Sequence, residues 1–60
     1  ILRTAIAKLS TDHQHVIILR ELEELDYDEI AQRLDLSVGT VRSRLHRARA
    51  QLRELLQQWL

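Results

Sequence analysis

The sequence predicts an all-α domain of four helices, and three observations support that prediction. Apolar residues recur at steps of three and four along most of the chain, which is the period of an amphipathic helix. The 60 residues include no proline and one glycine, so helix ends are marked by capping residues instead. Clusters of such residues around Ser10, Asp26 and Ser37 divide the chain into four segments.

The first two segments are predicted to be a short helix and a longer one. The first helix covers about residues 1–8, with an apolar side made of Leu2, Ala5, Ile6 and Leu9. Thr11 followed by Gln14 fits a capping box, so a second helix begins there and runs to about residue 24. Its apolar side consists of Ile18, Leu19, Leu22 and Leu25.

The last two segments are predicted to form a helix-turn-helix. Asp26 with Glu29 three residues later is a second capping box, which predicts a third helix over residues 27–34. Ser37 caps a fourth helix over about residues 38–57, and the small Ala31 allows the two helices to cross closely. The expected core of the domain is Leu19, Leu22, Ile30, Leu34, Leu36, Val41, Leu45 and Ala48.

Charge is distributed unevenly although the net charge is zero. Residues 1–40 contain four basic and eight acidic residues, for a net charge of −4. Residues 41–60 contain five basic residues and one acidic residue, for a net charge of +4. A chain polarised in this way can offer a basic face to phosphates and an acidic face elsewhere.

The fourth predicted helix carries its basic residues opposite its apolar stripe. Four arginines occur between residues 42 and 49 with no acidic residue among them. At 100° per residue, Ser43, His46 and Arg47 lie roughly opposite Val41, and the other arginines flank that face. Small and polar residues surrounded by arginines suit a helix that enters a DNA major groove. A merely solvated helix face is the weaker interpretation, because no acidic partners lie four residues away.

Several classes of function find no support in the sequence. No cysteine is present, and His13 and His15 would lie on opposite sides of a helix, so no metal site is expected. There is no nucleophile–base–acid set or glycine-rich loop, and we therefore expect neither an enzyme, nor a cofactor, nor a small-molecule substrate. No apolar run is long enough to span a bilayer. The chain makes one domain, residues 1–60, and begins with Ile1, so we expect a fragment of a longer protein.

The motifs of this chain closely resemble region 4 of bacterial RNA polymerase sigma factors, above all those of the extracytoplasmic-function (ECF) group. The resemblance covers roughly residues 9–56 and rests on Leu19–Glu23, on Tyr27–Leu34 and on the specific run Gly-Thr-Val-x-Ser-Arg-x-x-Arg-Ala-Arg over residues 39–49. It implies a member of the winged-helix-like DNA-binding superfamily without a wing, acting in the bacterial cytoplasm. It further implies three partners: the upstream (−35) promoter element, the flap of the polymerase β subunit and an anti-sigma factor.

The resemblance also implies roles for individual residues. By position in the motif, the side chains facing bases would be Arg42, Ser43, His46 and Arg47. Phosphates would be held by Arg33, Val38, Gly39, Thr40, Arg44 and Arg49, where Val38 and Gly39 act through the amides of the helix start. Glu24 and Asp35 stand where the family frequently has glycine, so we expect strained backbone at those two positions.

Two other interpretations remain open at this point. A LuxR-type effector domain shares the Glu-Ile-Ala…Thr-Val layout, although the arginines at positions 44, 47 and 49 favour a sigma factor. A protein-binding module held by an anti-sigma factor or by polymerase is the third possibility. For His46, a solvent-exposed histidine without a role competes with a contact to DNA. Tyr27 is expected to pack against the core or its boundary. Trp59 is expected to cover the first helix or a partner surface.

Overall fold

The computed structural model describes residues 2–58, and over that range the chain is helical without any strand. Helix α1 spans Leu2–Ala7, and α2 spans Thr11–Ile17 and continues into a π-helical turn over Ile18–Leu22. Helix α3 spans Tyr27–Leu34 and α4 spans Val38–Gln57. The all-α prediction is confirmed, and α3 and α4 form the expected helix-turn-helix. Trp59 lies outside the described residues.

The start of α2 differs from the predicted capping box. Ser10 is the N-cap, since its backbone is extended and its hydroxyl accepts a hydrogen bond from the His13 amide at 3.4 Å. Thr11 is already helical, so its assignment as the cap was wrong. The amide side chain of Gln14 instead donates to the carbonyl oxygens of Ala7 and Leu9, at 3.0 and 3.1 Å. Gln14 thereby satisfies carbonyl groups that the end of α1 leaves open.

The caps of α3 and α4 follow the prediction. Asp26 accepts a hydrogen bond from the Glu29 amide at 2.8 Å, and the Glu29 carboxylate accepts one from the Asp26 amide at 3.1 Å. Ser37 accepts a hydrogen bond from the Thr40 amide at 3.1 Å. Each of these bonds satisfies a backbone donor that the first helical turn cannot pair internally, which determines where the two helices begin.

The π-helical turn changes which side chains the second helical segment buries. The Glu23 amide donates to the Ile18 carbonyl at 3.1 Å, and the Leu25 amide reaches back to the Leu19 carbonyl at 3.0 Å. The six-residue bond closes the helix end around the left-handed Glu24. The five-residue step winds more widely than the four-residue step of an α-helix, so later side chains are rotated away from their predicted direction. Leu22 is consequently 55% exposed, and its assignment to the core was wrong.

The core forms where α4 crosses α2 and α3. Ile17, Ile30, Val41 and Leu45 are fully buried there. Ala31 is also buried, and its small side chain allows α3 to approach α4 closely. The core is completed by the buried Ile6, Leu9, Val16, Leu19 and Ala48, with the half-buried Leu25, Leu34 and Leu36 packed at its edge.

Two residues have left-handed backbone, and they are the two that stand where the family frequently has glycine. The strain expected at these positions is therefore present. Glu24, after the π-helical turn, has φ = 60°, and Asp35, after α3, has φ = 56°. Asp35 ends α3, and the Leu36 amide then donates to the Ala31 carbonyl at 2.9 Å. This compact turn directs the chain into α4. Among the described residues, no helix has the length and apolarity needed to cross a membrane.

Candidate nucleic-acid interface

The outer face of α4 brings together the four side chains predicted to face bases. Arg42, Ser43, His46 and Arg47 are all exposed, and Val41, Leu45 and Ala48 on the opposite side are fully buried. The apolar stripe therefore determines the rotation of α4 about its axis and leaves the arginine-rich side in solvent. Contact of these four residues with bases stays a prediction.

The first turn of α4 is shaped by Ser37 and Gly39. Ser37 accepts from the Thr40 amide and donates its own hydroxyl to Thr40 Oγ1 at 2.9 Å. Gly39 is exposed, and a Cβ atom at its position would meet only Ser37 Oγ, at an ordinary contact distance of 3.9 Å. Packing within the described chain therefore does not require glycine here. The missing side chain leaves the amides of residues 38 and 39 open to an approaching anion.

Ser43 presents an acceptor rather than a free donor at the centre of the outer face. Its hydroxyl donates to the Gly39 carbonyl one turn earlier, at 3.0 Å. The hydroxyl oxygen keeps its lone pairs free, so it can accept a hydrogen bond from an amino group of cytosine or adenine.

The four arginines of α4 fall into two groups according to their contacts. Arg44 lies 3.6 Å from an Asp12 carboxylate oxygen, and Arg49 donates from Nε and Nη2 to Glu21 Oε1 at 2.9 and 2.8 Å. Within residues 2–58, Arg47 makes no hydrogen bond, ion pair or ring contact, and Arg42 makes only a ring contact, with Tyr27. The two paired arginines are those predicted to hold phosphates.

Among the arginines of residues 2–58, the surroundings of Arg49 favour its protonated form. The hydrogen bond with Glu21 raises the pKa of Arg49, the Tyr27 side chain acts in the same direction, and partial burial opposes both. Arg49 is charged at any accessible pH, so the structural meaning of the shift is that its guanidinium is held in place by a carboxylate.

Arg33 and His46 have different surroundings from the paired arginines. Arg33 is exposed and lines a shallow groove of about 270 Å³ whose other residues belong to α2, the π-helical turn, the following Glu23 and α3. None of the groove residues belongs to α4, so its assignment as a phosphate contact stays a prediction. His46 is exposed and has no hydrogen-bond partner among the described residues. No group of three or more potential metal ligands occurs in residues 2–58.

Sequence reasoning missed the side chains that contact the arginines of α4 from other helices. From the sequence, Glu21 belongs to an acidic run that is most simply a solvated face, Asp12 belongs to the capping cluster before α2, and Tyr27 is a packing residue. Tyr27 is half-buried, with the guanidinium carbons of Arg20 and Arg42 lying 5.5 and 6.0 Å from its ring centroid. The contacts that reach the arginines of α4 join residues 15 to 32 positions apart, and no local sequence pattern predicts such pairs.

Comparison with known proteins identifies the family of the chain. Residues 1–52 match the family model of sigma-70, region 4. RNA polymerase sigma factor YlaC of Bacillus subtilis is 49% identical over 53 residues, covering 88% of this chain and 31% of that protein. ECF RNA polymerase sigma factor SigE of Mycolicibacterium smegmatis is 42% identical over 55 residues, covering 92% and 21%.

A further relative, the ECF RNA polymerase sigma-E factor of Haemophilus influenzae, is 48% identical over 52 residues, covering 87% of this chain and 28% of its own length. The chain thus spans about a fifth to a third of the length of the curated relatives it matches. With a family model matched over most of its length and a helix-turn-helix whose second helix is basic, the chain belongs to the sigma-70 region 4 family.

Proposed function

We propose that this chain is the promoter-binding domain of an ECF-group sigma factor and recognises the −35 element through α4. It acts in the bacterial cytoplasm as a DNA-binding partner of RNA polymerase, not as an enzyme. The observation that carries the proposal is the outer face of α4, where Arg42, Ser43, His46 and Arg47 are exposed together opposite a fully buried stripe. The family match weighs against the LuxR-type alternative.

The contacts of the arginines support a division between those that recognise bases and those that hold the DNA backbone. Arg47 lies near the centre of the outer face and has no partner in the described chain, so its guanidinium is available for two hydrogen bonds to guanine. Arg44 and Arg49 lie at the rim, each beside a carboxylate, where a phosphate would meet them. The amides at residues 38 and 39 add donors at the helix N-terminus.

A second surface fits the attachment to polymerase. Leu22 is 55% exposed, and together with Ile18 it lines a shallow, mostly apolar groove of about 360 Å³ beside α1. Ile18 also lines the groove that contains Arg33. The groove is small, but Leu22 is its exposed apolar side chain and can pack on an apolar partner surface. We therefore assign it to the flap of the polymerase β subunit, the protein partner that the family resemblance implies. An anti-sigma factor that covers this surface or the outer face of α4 would block the function.

Two alanine variants test the DNA-binding proposal. Arg47→Ala should weaken binding to the preferred duplex by roughly 1–3 kcal/mol and relax preference at one or two base pairs. Arg44→Ala should weaken binding to all duplexes by similar factors, because a phosphate contact carries no sequence information. Both changes are tolerated in a helix, and a selection from random duplexes measures preference directly.

Arg3→Ala on α1 is the charge-matched control, since it removes one positive charge away from α4 and should change neither affinity nor preference appreciably. If Arg44→Ala alters base preference while Arg47→Ala leaves it intact, the proposed rotation of α4 in the groove is wrong. If neither variant differs from Arg3→Ala, the outer face of α4 is not the DNA-binding surface.

A further inference from the structure

A cluster of side chains from outside α4 contacts two of its arginines. The cluster consists of Arg20 and Glu21 on the π-helical turn and Tyr27 at the start of α3, and we refer to it as the Tyr27 cluster. It contacts Arg42 through the ring of Tyr27 and Arg49 through the carboxylate of Glu21. Arg42 and Arg49 are seven residues apart, so they lie on the same side of α4, two turns or about 10 Å from one another.

Tyr27 lies on a backbone segment that is fixed by hydrogen bonds, and the side chain of Arg20 contacts its ring. Tyr27 is the first residue of α3, directly after the Asp26 cap. Arg20 donates from Nη1 to the Leu25 carbonyl at 2.9 Å, which ties the π-helical turn to the loop before Tyr27. The Arg20 guanidinium carbon also lies 5.5 Å from the ring centroid. The backbone at Tyr27 is thus fixed by the Asp26 cap and by the Arg20–Leu25 bond, and Arg20 contacts the ring independently of Arg42.

Contact with an aromatic ring restricts an arginine that would otherwise sample many rotamers. A guanidinium within about 6 Å of a ring centroid is attracted by the π-electrons and prefers stacked geometry. An arginine already held in one region loses less conformational freedom when it binds a base or phosphate. Arg42 is exposed and has no ion pair within residues 2–58, so the ring of Tyr27 is the contact that can orient it.

We propose that Tyr27 is a positioning residue for DNA recognition, orienting Arg42 through its ring while Glu21 holds the neighbouring Arg49. This inference rests on the proposed function, because it assigns Tyr27 an effect on base preference only through Arg42. The rise in the pKa of Arg49 caused by Glu21 and Tyr27 agrees with the close approach of these side chains. Tyr27 itself need not touch DNA.

A double-mutant cycle between Tyr27 and Arg42 tests the proposal in random-duplex selections. Tyr27→Leu should relax preference about two- to fivefold, the effect expected for loss of an exposed cation–π contact, at the base pairs that Arg42→Ala affects. Combining the two substitutions should add nothing to Arg42→Ala alone, because the ring then has nothing to orient. Tyr27→Phe retains the ring and should retain the preference.

Other results would overturn the inference. Equal weakening on all duplexes by Tyr27→Leu, or an effect that adds fully to that of Arg42→Ala, would show that Tyr27 acts on stability or general affinity alone. A thermal unfolding curve checks that Tyr27→Leu is folded at the assay temperature. Arg42→Lys supplies a second measurement that leaves Tyr27 intact: it retains the charge but not the planar stack, and it should lose preference nearly as far as Arg42→Ala.

Failure of the underlying function gives a different pattern. If Arg42→Ala leaves base preference unchanged, then Arg42 does not read bases and the assignment of the α4 face is at fault. If Arg42→Ala alters preference but Tyr27→Leu and Arg42→Lys do not, the DNA-binding proposal stands and the positioning role of Tyr27 is wrong.

Discussion

At the scale of single residues, the two left-handed positions show where the fold tolerates an unfavourable backbone. An L-residue with positive φ crowds its Cβ against the following carbonyl, at a cost of about 1–2 kcal/mol. Asp35 belongs to the residue types that adopt this conformation most readily, whereas Glu24 does not. The larger strain therefore lies at Glu24, where the π-helical turn ends.

Replacement of Glu24 by glycine should stabilise the domain. Glycine removes the steric cost at φ = 60° but loses more backbone entropy on folding, so the expected net gain is about 0.5–1 kcal/mol. Glu24 is exposed, and urea unfolding of the two proteins measures the difference. Glu23→Gly is the matched control. Glu23 has φ = −95°, so glycine relieves no strain there and the substitution should destabilise the domain. Equal effects of the two substitutions would contradict the strain at Glu24.

Leu45 and Leu22 were both predicted to lie in the core, but only Leu45 does. Alanine substitutions at the two positions should therefore differ in their effect on stability. Leu45 is fully buried, so Leu45→Ala should lose about 2–5 kcal/mol of stability, enough to unfold much of a 60-residue domain. Leu22 is 55% exposed, so Leu22→Ala should lose under about 1 kcal/mol while weakening attachment to polymerase. Circular dichroism melting ranks the two variants. A melting temperature lowered as far by Leu22→Ala as by Leu45→Ala would place Leu22 in the core after all.

The error at Leu22 has a specific physical origin. A helical-wheel prediction assumes a constant 100° per residue, and it correctly buries Ile30, Val41, Leu45 and Ala48 because those positions lie in the regular helices α3 and α4. Leu19 is also buried as predicted, because it is only the second residue of the π-helical turn and the wider winding has not yet rotated it far. The wider winding after Ile18 breaks that assumption. No capping residue or glycine marks the beginning of this turn, so the exposure of Leu22 could not be predicted from the apolar period.

At the scale of elements, the start of α4 contains a residue, Gly39, that folding does not explain. Glycine is a poor helix former, and Gly39 has neither positive φ nor a close neighbour that would exclude a Cβ atom. A local choice that disfavours the helix without structural compensation is expected at functional sites. The first turn of α4 is such a place if the DNA backbone approaches its amides.

Gly39→Ala should therefore separate folding from function. We expect stability to rise by about 0.5–1 kcal/mol from helix propensity, while affinity for duplex DNA falls because a methyl group occupies the approach to the amides. Chemical unfolding and duplex titration on the same protein measure the two effects. Gln57→Ala, an exposed substitution at the far end of α4, should leave affinity unchanged. Unaltered DNA affinity in Gly39→Ala would contradict a close approach at this turn.

The elements differ in how far the sequence predicts them. The caps at Asp26 and Ser37 join a side chain to an amide three residues away, and such local bonds can be read from spacing. The contacts between Asp12 and Arg44 and between Glu21 and Arg49 depend on how α2 and its π-helical turn lie against α4. The arginine-rich face was therefore predictable, whereas the carboxylates that hold its rim were not.

At the scale of the whole molecule, charge is separated along the chain but partly recombined in space. The acidic first 40 residues and the basic last 20 cancel in net charge. Asp12 and Glu21 nevertheless fold against Arg44 and Arg49. Exposed ion pairs of this type are worth at most about 1 kcal/mol, so a phosphate can compete for these arginines. Arg42 and Arg47 have no such carboxylate within residues 2–58.

Salt dependence distinguishes this local basic face from the overall neutrality of the domain. If Arg33, Arg44 and Arg49 each neutralise one phosphate, log affinity should fall against log salt with a slope of roughly −3, at about 0.9 per contact. Arg44→Ala should make the slope shallower by about one unit, whereas Arg3→Ala on α1 should leave it unchanged. Titration of a fluorescent duplex over a tenfold range of salt measures all three slopes. An affinity that does not change with salt would mean that the arginines of α4 neutralise no phosphates, and the proposed binding of α4 in the major groove would be wrong.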